Sequence, residues 1–287
     1  MFCVMLEYHP MIGVDFHFDL IPPAPPVPPV PTPFEPHVVG ATLNWVLPPM
    51  MATTVLAQFG RVMQRGTDIM NLIPHIPMGP GVLLSPAETA FSGSKSHFGP
   101  ASVQACKKSI AAAVLVVVNL NLNCGTIPTP TGVVIAPNTV VTGMTWGDIL
   151  GGVMAMVADC AVQTVLNCIL APLGPVGAGI AGMLLGSPLG FGFNANGRGA
   201  VGSVGRFSGY FSDAARGAGE VLGGDEAQGQ ADIDAAGRAA SEDLNAPVDP
   251  NNPFSGWDSN DADRLVPSPM ITNVAGAVLD SPAAEQF

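Results

Sequence analysis

Five histidines, His9, His17, His37, His75 and His97, all fall in the first third of this 287-residue chain, and the 190 residues after His97 contain none. Two of them punctuate the stretch PHIPMGPGVLLSPAETAFSGSKSHFG at residues 74–99. Neutral imidazole is the commonest protein metal ligand, and a closed structural zinc site takes about four N and S ligands. The same third of the chain supplies Cys3 and Cys106. A zinc site built from His37, His75, His97 and Cys106 would gather ligands from several loops and pin a small module at one end. No CxxC or HxxxH pair is present, so the segregation of the histidines carries this reading, and histidines satisfied in a core or on a surface are its alternative.

Catalytic chemistry finds less support. There is no GxSxG, HExxH or P-loop lysine motif. The Gly-rich GFGFNANGRGAVGSVG follows an apolar stretch, not a strand, and opens no βαβ unit. Carboxylates concentrate in the last third, where nothing in the sequence holds a pair in register. The chain reads as non-enzymatic.

A second polar pattern lies in TWGDILGGVMAMVADCAVQTVLNCILAPLG. It reads as a helix over 145–171, stopped by Pro172 and Gly174. Asp159, Gln163 and Asn167 are spaced i, i+4, i+8, and Asp148 lies about three turns earlier, so all four share one face of an otherwise apolar helix. PVGAGIAGMLLGSPLGFGF reads as a second apolar helix over 175–190, with Gly177, Gly182 and Gly186 spaced for close packing. Such a helical hairpin is long enough to span a bilayer; a buried helical core fits the pattern equally.

The elements that would position these groups follow from composition. Charged residues are 11% and hydrophobic residues 48%, with 34 Gly and 29 Pro, against about 25% charged in a typical soluble domain. That imbalance leaves apolar mass to face lipid, a chaperone or a partner. The net charge of −12 is uneven: residues 1–205 carry six Lys/Arg and eight Asp/Glu, and residues 206–287 carry four and fourteen. Nothing is basic enough for nucleic acid. The five cysteines form no regular framework, and a reducing compartment at synthesis fits them best. The first residues show no Sec signal peptide.

Residues 1–108 read as a small β module. PPAPPVPPVPTPFEP at 22–36 is expected to be an extended polyproline connector without a ladder, and short apolar runs over 37–106 as strands between turns. In 109–193, NLNLN alternates as a strand does, ahead of the apolar helices. Residues 194–287 are Gly-rich and then acidic, too poor in large apolar groups to hold structure alone, so a flexible, partner-held tail is expected with only marginal helices at 209–222 and 228–244. The fold class expected is α+β: a β module, a hydrophobic helical hairpin and an irregular acidic tail.

RGTDIMNLIPHIPMGPG followed by SGSKSHFGPASVQACKKSI resembles the PAAR and PAAR-like modules that tip the spikes of type VI secretion systems and related contractile injectors. The eponymous Pro-Ala-Ala-Arg is replaced by GPAS at 99–102. The resemblance implies a small cone of β-hairpins with zinc near the apex, His75 being the ligand inside the matched His-Ile-Pro. It implies that the module caps a trimeric spike and helps deliver a toxin across a target membrane. A dedicated chaperone would cover the apolar helices, and a downstream toxin or Rhs-type cage would be the cargo, the chain being compatible with the N-terminal part of such a toxin. The location implied is the bacterial cytoplasm before firing and the target cell after it, with membrane insertion by the helices as one option. A pore-forming toxin acting through those helices, or a structural plug of an Rhs cage, is the alternative.

Overall fold

The computed structural model describes residues 1–24, 27–41, 51–66, 68–70, 72–125, 128–170 and 202–244. The strands in chain order are β1 (Phe2–Cys3), β2 (Met11–Ile21), β3 (Val30–Ala41), β4 (Met51–Ala57), β5 (Gly60–Met63), β6 (Asp68–Met70) and β7 (His75–Pro77). After the short helix α1 (Ser85–Phe91) come β8 (Gly93–Ser96), β9 (Gln104–Ala105), β10 (Lys108–Ser109), β11 (Val118–Asn123), β12 (Thr129–Ile135) and β13 (Val141–Thr142). Three longer helices close the described chain: α2 (Trp146–Leu170), α3 (Gly202–Leu222) and α4 (Glu226–Leu244).

Seven strands form one antiparallel sheet in the order β6-β8-β11-β12-β2-β3-β7, which curls into a half-barrel. Residues two apart on a strand share a face, and the inner face changes character along its length. At one end β2 and β3 turn Met11, Val39 and Ala41 inward, where they pack with Met5, Met63, Leu72 and Val134. Farther along the same face come Asp15, His17 and Asp19 of β2 and Glu35 and His37 of β3, all buried. The NLNLN alternation is β11. Its asparagines Asn119, Asn121 and Asn123 are buried and tied to Ser94 and Ser96 of β8, while Leu122 faces Phe98 and Met156 of α2.

The cone of hairpins is therefore corrected to a curled sheet. The proline-rich run is corrected as well, because residues 30–32 and 35–36 pair with β2 on either side of a bulge. β7 covers β3 only from His37 onward, so Pro31, Pro33 and Pro36 lie where the strand needs a ladder on one side only, the place a sheet tolerates proline.

The hydrophobic hairpin is corrected in its turn. Among the described residues no helix is long and apolar enough to cross a membrane, so transmembrane helices, membrane insertion and the pore-forming alternative are set aside. The helix expected over 175–190 lies outside the described residues. The partner α2 does have is α3, and glycines set their spacing. A Cβ on Gly151 would come within 3.0 Å of the Arg216 carbonyl oxygen, and one on Gly219 within 2.6 Å of the Leu150 carbonyl oxygen. The acidic region is likewise not irregular throughout. Residues 202–244 form α3 and α4, which dock on α2 and the sheet through their own side chains, as Arg216 does by donating to the His97 carbonyl at 2.7 Å.

Candidate metal centre

The polar end of the inner face brings together residues from five segments. Because β12 separates β11 from β2 in the sheet, the end of β11 carries Cys124 back over β2, and β7 places His75 beside β3. α1 starts with Pro86 in its first turn, a position proline suits, and it directs Glu88 into the cluster. The rings of His17, His37 and His75 lie with centroids 4.8–5.1 Å apart.

Two groups of side chains can each hold a cation: Asp15, His17, His75 and Cys124, and His37, His75 and Glu88. In the first, Asp15 Oδ2 is 3.1 Å from His17 Nε2 and 3.3 Å from His75 Nε2, and the two imidazole nitrogens are 3.3 Å apart. Cys124 Sγ is 3.2 Å from Asp15 Oδ2 and 3.7 Å from His17 Nε2. Tetrahedral zinc, with Zn–N near 2.0–2.1 Å and Zn–S near 2.3 Å, separates its N and O ligands by about 3.3 Å and an N,S pair by about 3.6 Å. The three N and O separations and the Cys124–His17 separation match that frame, while Cys124 Sγ lies closer to Asp15 Oδ2 than the frame requires.

The electrostatics point the same way. Burial alone would raise the Asp15 carboxyl, but hydrogen bonds and charge from His17 and His75 hold it well below the usual carboxylate range. Burial, with the Asp15 charge beside it, pushes the Cys124 thiol well above its ordinary value; a cation would take the place of that proton. For His37 burial lowers the pKa, but the Glu88 carboxylate 3.2 Å from its Nε2 outweighs that, and the net direction is up. His37 Nδ1 lies 3.1 Å from the Glu35 carbonyl, an outer contact that fixes a histidine tautomer and leaves Nε2 as the ligand atom.

The four ligands expected from the sequence are not brought to one place. His37 and His75 are in the cluster. His97 is buried under the helices, its Nε2 3.3 Å from Asp159 Oδ2, and burial lowers its pKa to about 3. Cys106 sits exposed at the tip of the β9–β10 hairpin, where it and Lys107 take the positive φ that a two-residue turn requires. His9 is a core residue whose Nδ1 accepts from the Leu6 amide, and burial lowers its pKa to about 4.

Of the α2 stripe, Asp148 accepts from the Ala101 and Thr145 amides, and Asp159 takes Lys95 Nζ at 2.7 Å. Both carboxylates therefore face the β module. The side chains of Gln163 and Asn167 lie outside the described residues. Asp15, His17, Glu88 and Cys124 were missed by spacing arguments, although D-F-H-F-D over 15–19 is a period-2 pattern that places Asp15, His17 and Asp19 on one face of a strand. No family model, curated protein or solved structure matches the chain.

Proposed function

We propose that this chain is a non-enzymatic tip and carrier component of a contractile injection apparatus, with a structural zinc pinning the polar end of its half-barrel. The observation that carries this is the Asp15, His17, His75, Cys124 group, whose N and O atoms lie at tetrahedral spacing, with His75 supplied by the His-Ile-Pro segment that resembles PAAR-like modules. A structural role suits a site whose histidines and aspartate are all buried, because a catalytic zinc keeps one position open to water or substrate.

In this reading the pinned sheet caps the end of a trimeric spike and the rest of the chain links it to a toxin cargo. An exposed apolar stripe on α2, formed by Trp146, Leu150, Val153 and Val157, is the surface that a chaperone would cover before loading. Elemental analysis of the purified full chain, combined with co-purification on a trimeric β-helical spike, tests the proposal. Bound zinc and a stable spike complex, both lost in His75→Ala, are expected. A folded wild-type chain that holds no metal, or one that holds metal and ignores the spike, would overturn the first or the second half respectively.

A further inference from the structure

The tetrahedral group leaves a second set of buried atoms unexplained. His37 Nε2 and Glu88 Oε2 lie 3.2 Å apart as an ion pair that is not aligned for a hydrogen bond, and Glu35 Oε1 and His75 Nδ1 are also buried without a hydrogen-bond partner. Buried polar atoms are almost always satisfied, so these four, with Asp15 Oδ1 as a fifth in the same cluster, require an account. Two ligand atoms at that separation and not aligned on each other are placed as they would be around a third atom between them.

Charge sharpens the point. Asp15, Asp19, Glu35 and Glu88 are at most 4% exposed, and among the described residues no Lys or Arg forms an ion pair with any of them. One divalent cation is neutralised by Asp15 and the Cys124 thiolate alone. Asp19, Glu35 and Glu88 then remain in a low-dielectric interior with His37 as the one imidazole placed to balance them, and charge left uncompensated there is costly. Asp19 is hydrogen-bonded by the Leu20 and Leu84 amides and the Ser85 hydroxyl; Glu35 Oε1 and Glu88 Oε2 have no such support.

We infer that the half-barrel holds a two-cation centre, in which a second divalent ion is bound by His37, Glu88 and the shared ring of His75. This rests on the zinc reading above and extends it. His75 gives Nε2 to the first ion, and its Nδ1 is the ring atom left for the second. The remaining ring proton passes to solvent as the second ion binds, so His75 becomes an imidazolate bridge. Asp19 Oδ2, 3.9 Å from His37 Nε2, and Glu35 lie close enough to compensate the added charge. The second site has only N and O ligands, whereas the first contains a thiolate.

The test is metal stoichiometry of the full chain loaded with Zn2+ and freed of loose metal by gel filtration, repeated with Co2+. Two ions per wild-type chain are expected, with thiolate-to-cobalt absorption saturating at one equivalent while the remaining cobalt signal grows to two. Glu88→Gln should hold one ion and keep the full thiolate band. One ion in the wild type, unchanged in Glu88→Gln, overturns the two-cation centre and leaves the single zinc site standing; no ion in the wild type overturns both. Should Glu88→Gln fail to fold, the wild-type count and the split of its cobalt spectrum decide alone.

Discussion

Two buried clusters of charge sit on this sheet, and they handle the same electrostatic problem differently. Under the helices, Asp159 meets Lys95 at 2.7 Å and His97 at 3.3 Å, while Arg65 reaches both Glu220 and Asp232 at 3.4 Å. Every carboxylate there faces a side-chain cation. Burial would raise Asp159, but Lys95 holds it down. Burial lowers Arg216 to about 9, which leaves it charged at neutral pH. His97 is neutral there, so Lys95 and not the imidazole balances Asp159. At the polar end of the half-barrel the carboxylates are as deeply buried, yet their near neighbours are imidazoles and a thiol. One cluster meets its carboxylates with Lys and Arg of the same chain, and the other is a set of side chains whose spacing can hold a cation. The acidic residues look alike in sequence; what separates them is whether Lys or Arg arrives with them.

Removing metal should break that contrast most sharply. Chelation of the full chain should lower its melting temperature by roughly 10 °C or more, since structural zinc contributes many kcal/mol to folding. Asp159→Ala should show the converse. It leaves Lys95 in a buried setting without its 2.7 Å partner, and losing one member of a buried pair costs about 3 kcal/mol or more, with metal content unchanged. Replacing both partners, as Lys95→Met with Asp159→Leu, should recover most of that loss. Thermal unfolding with and without chelator reads all three. A chelator effect no larger than that of Asp159→Ala would mean that the polar-end cluster is held together by its own hydrogen bonds.

How much of this was legible beforehand follows from how far apart the partners are in sequence. The confinement of histidines to one module is visible in composition, and His37 and His75 fall where that predicts. His17 was readable from the alternation around it, since a strand with aspartates two residues either side must bury or expose all three together. Cys124 was not, because it lies 107 residues from His17 and only the β11-β12-β2 neighbourhood joins them. Glu88 sits on a seven-residue helix too short to announce itself by periodicity. α3 and α4 were underestimated for a related reason. Gly-rich helices have poor intrinsic propensity, but here the absent side chains let α3 approach α2 closely, and tertiary packing supplies what propensity lacks. The polar stripe on α2 fitted a membrane-spanning hairpin or a buried core equally in sequence, and the partners its carboxylates find, the Ala101 amide and Lys95, belong to the β module.

The smallest effect concerns the completeness of the helix-side cluster. Burial raises the Glu220 carboxyl to about 7, against 4.5 in an unfolded chain, with Arg65 opposing the shift and Asp232 adding to it. A carboxyl whose folded pKa is raised binds more protons folded than unfolded between those two values, so its contribution to stability falls as pH rises from about 4.5 to 7. Glu220→Gln keeps a neutral group throughout. Its stability should therefore be close to wild type at pH 5, and it should gain on the wild type by about 2 kcal/mol by pH 8. Comparing the two proteins at each pH cancels the titration of His97 and of the metal ligands, which both share. A difference that stays flat with pH would place Glu220 as a carboxylate fully paired with Arg65, making the helix-side cluster as well compensated as Lys95 makes Asp159. A difference that opens above neutrality would identify Glu220 as the one member of that cluster whose charge the fold accommodates at a cost.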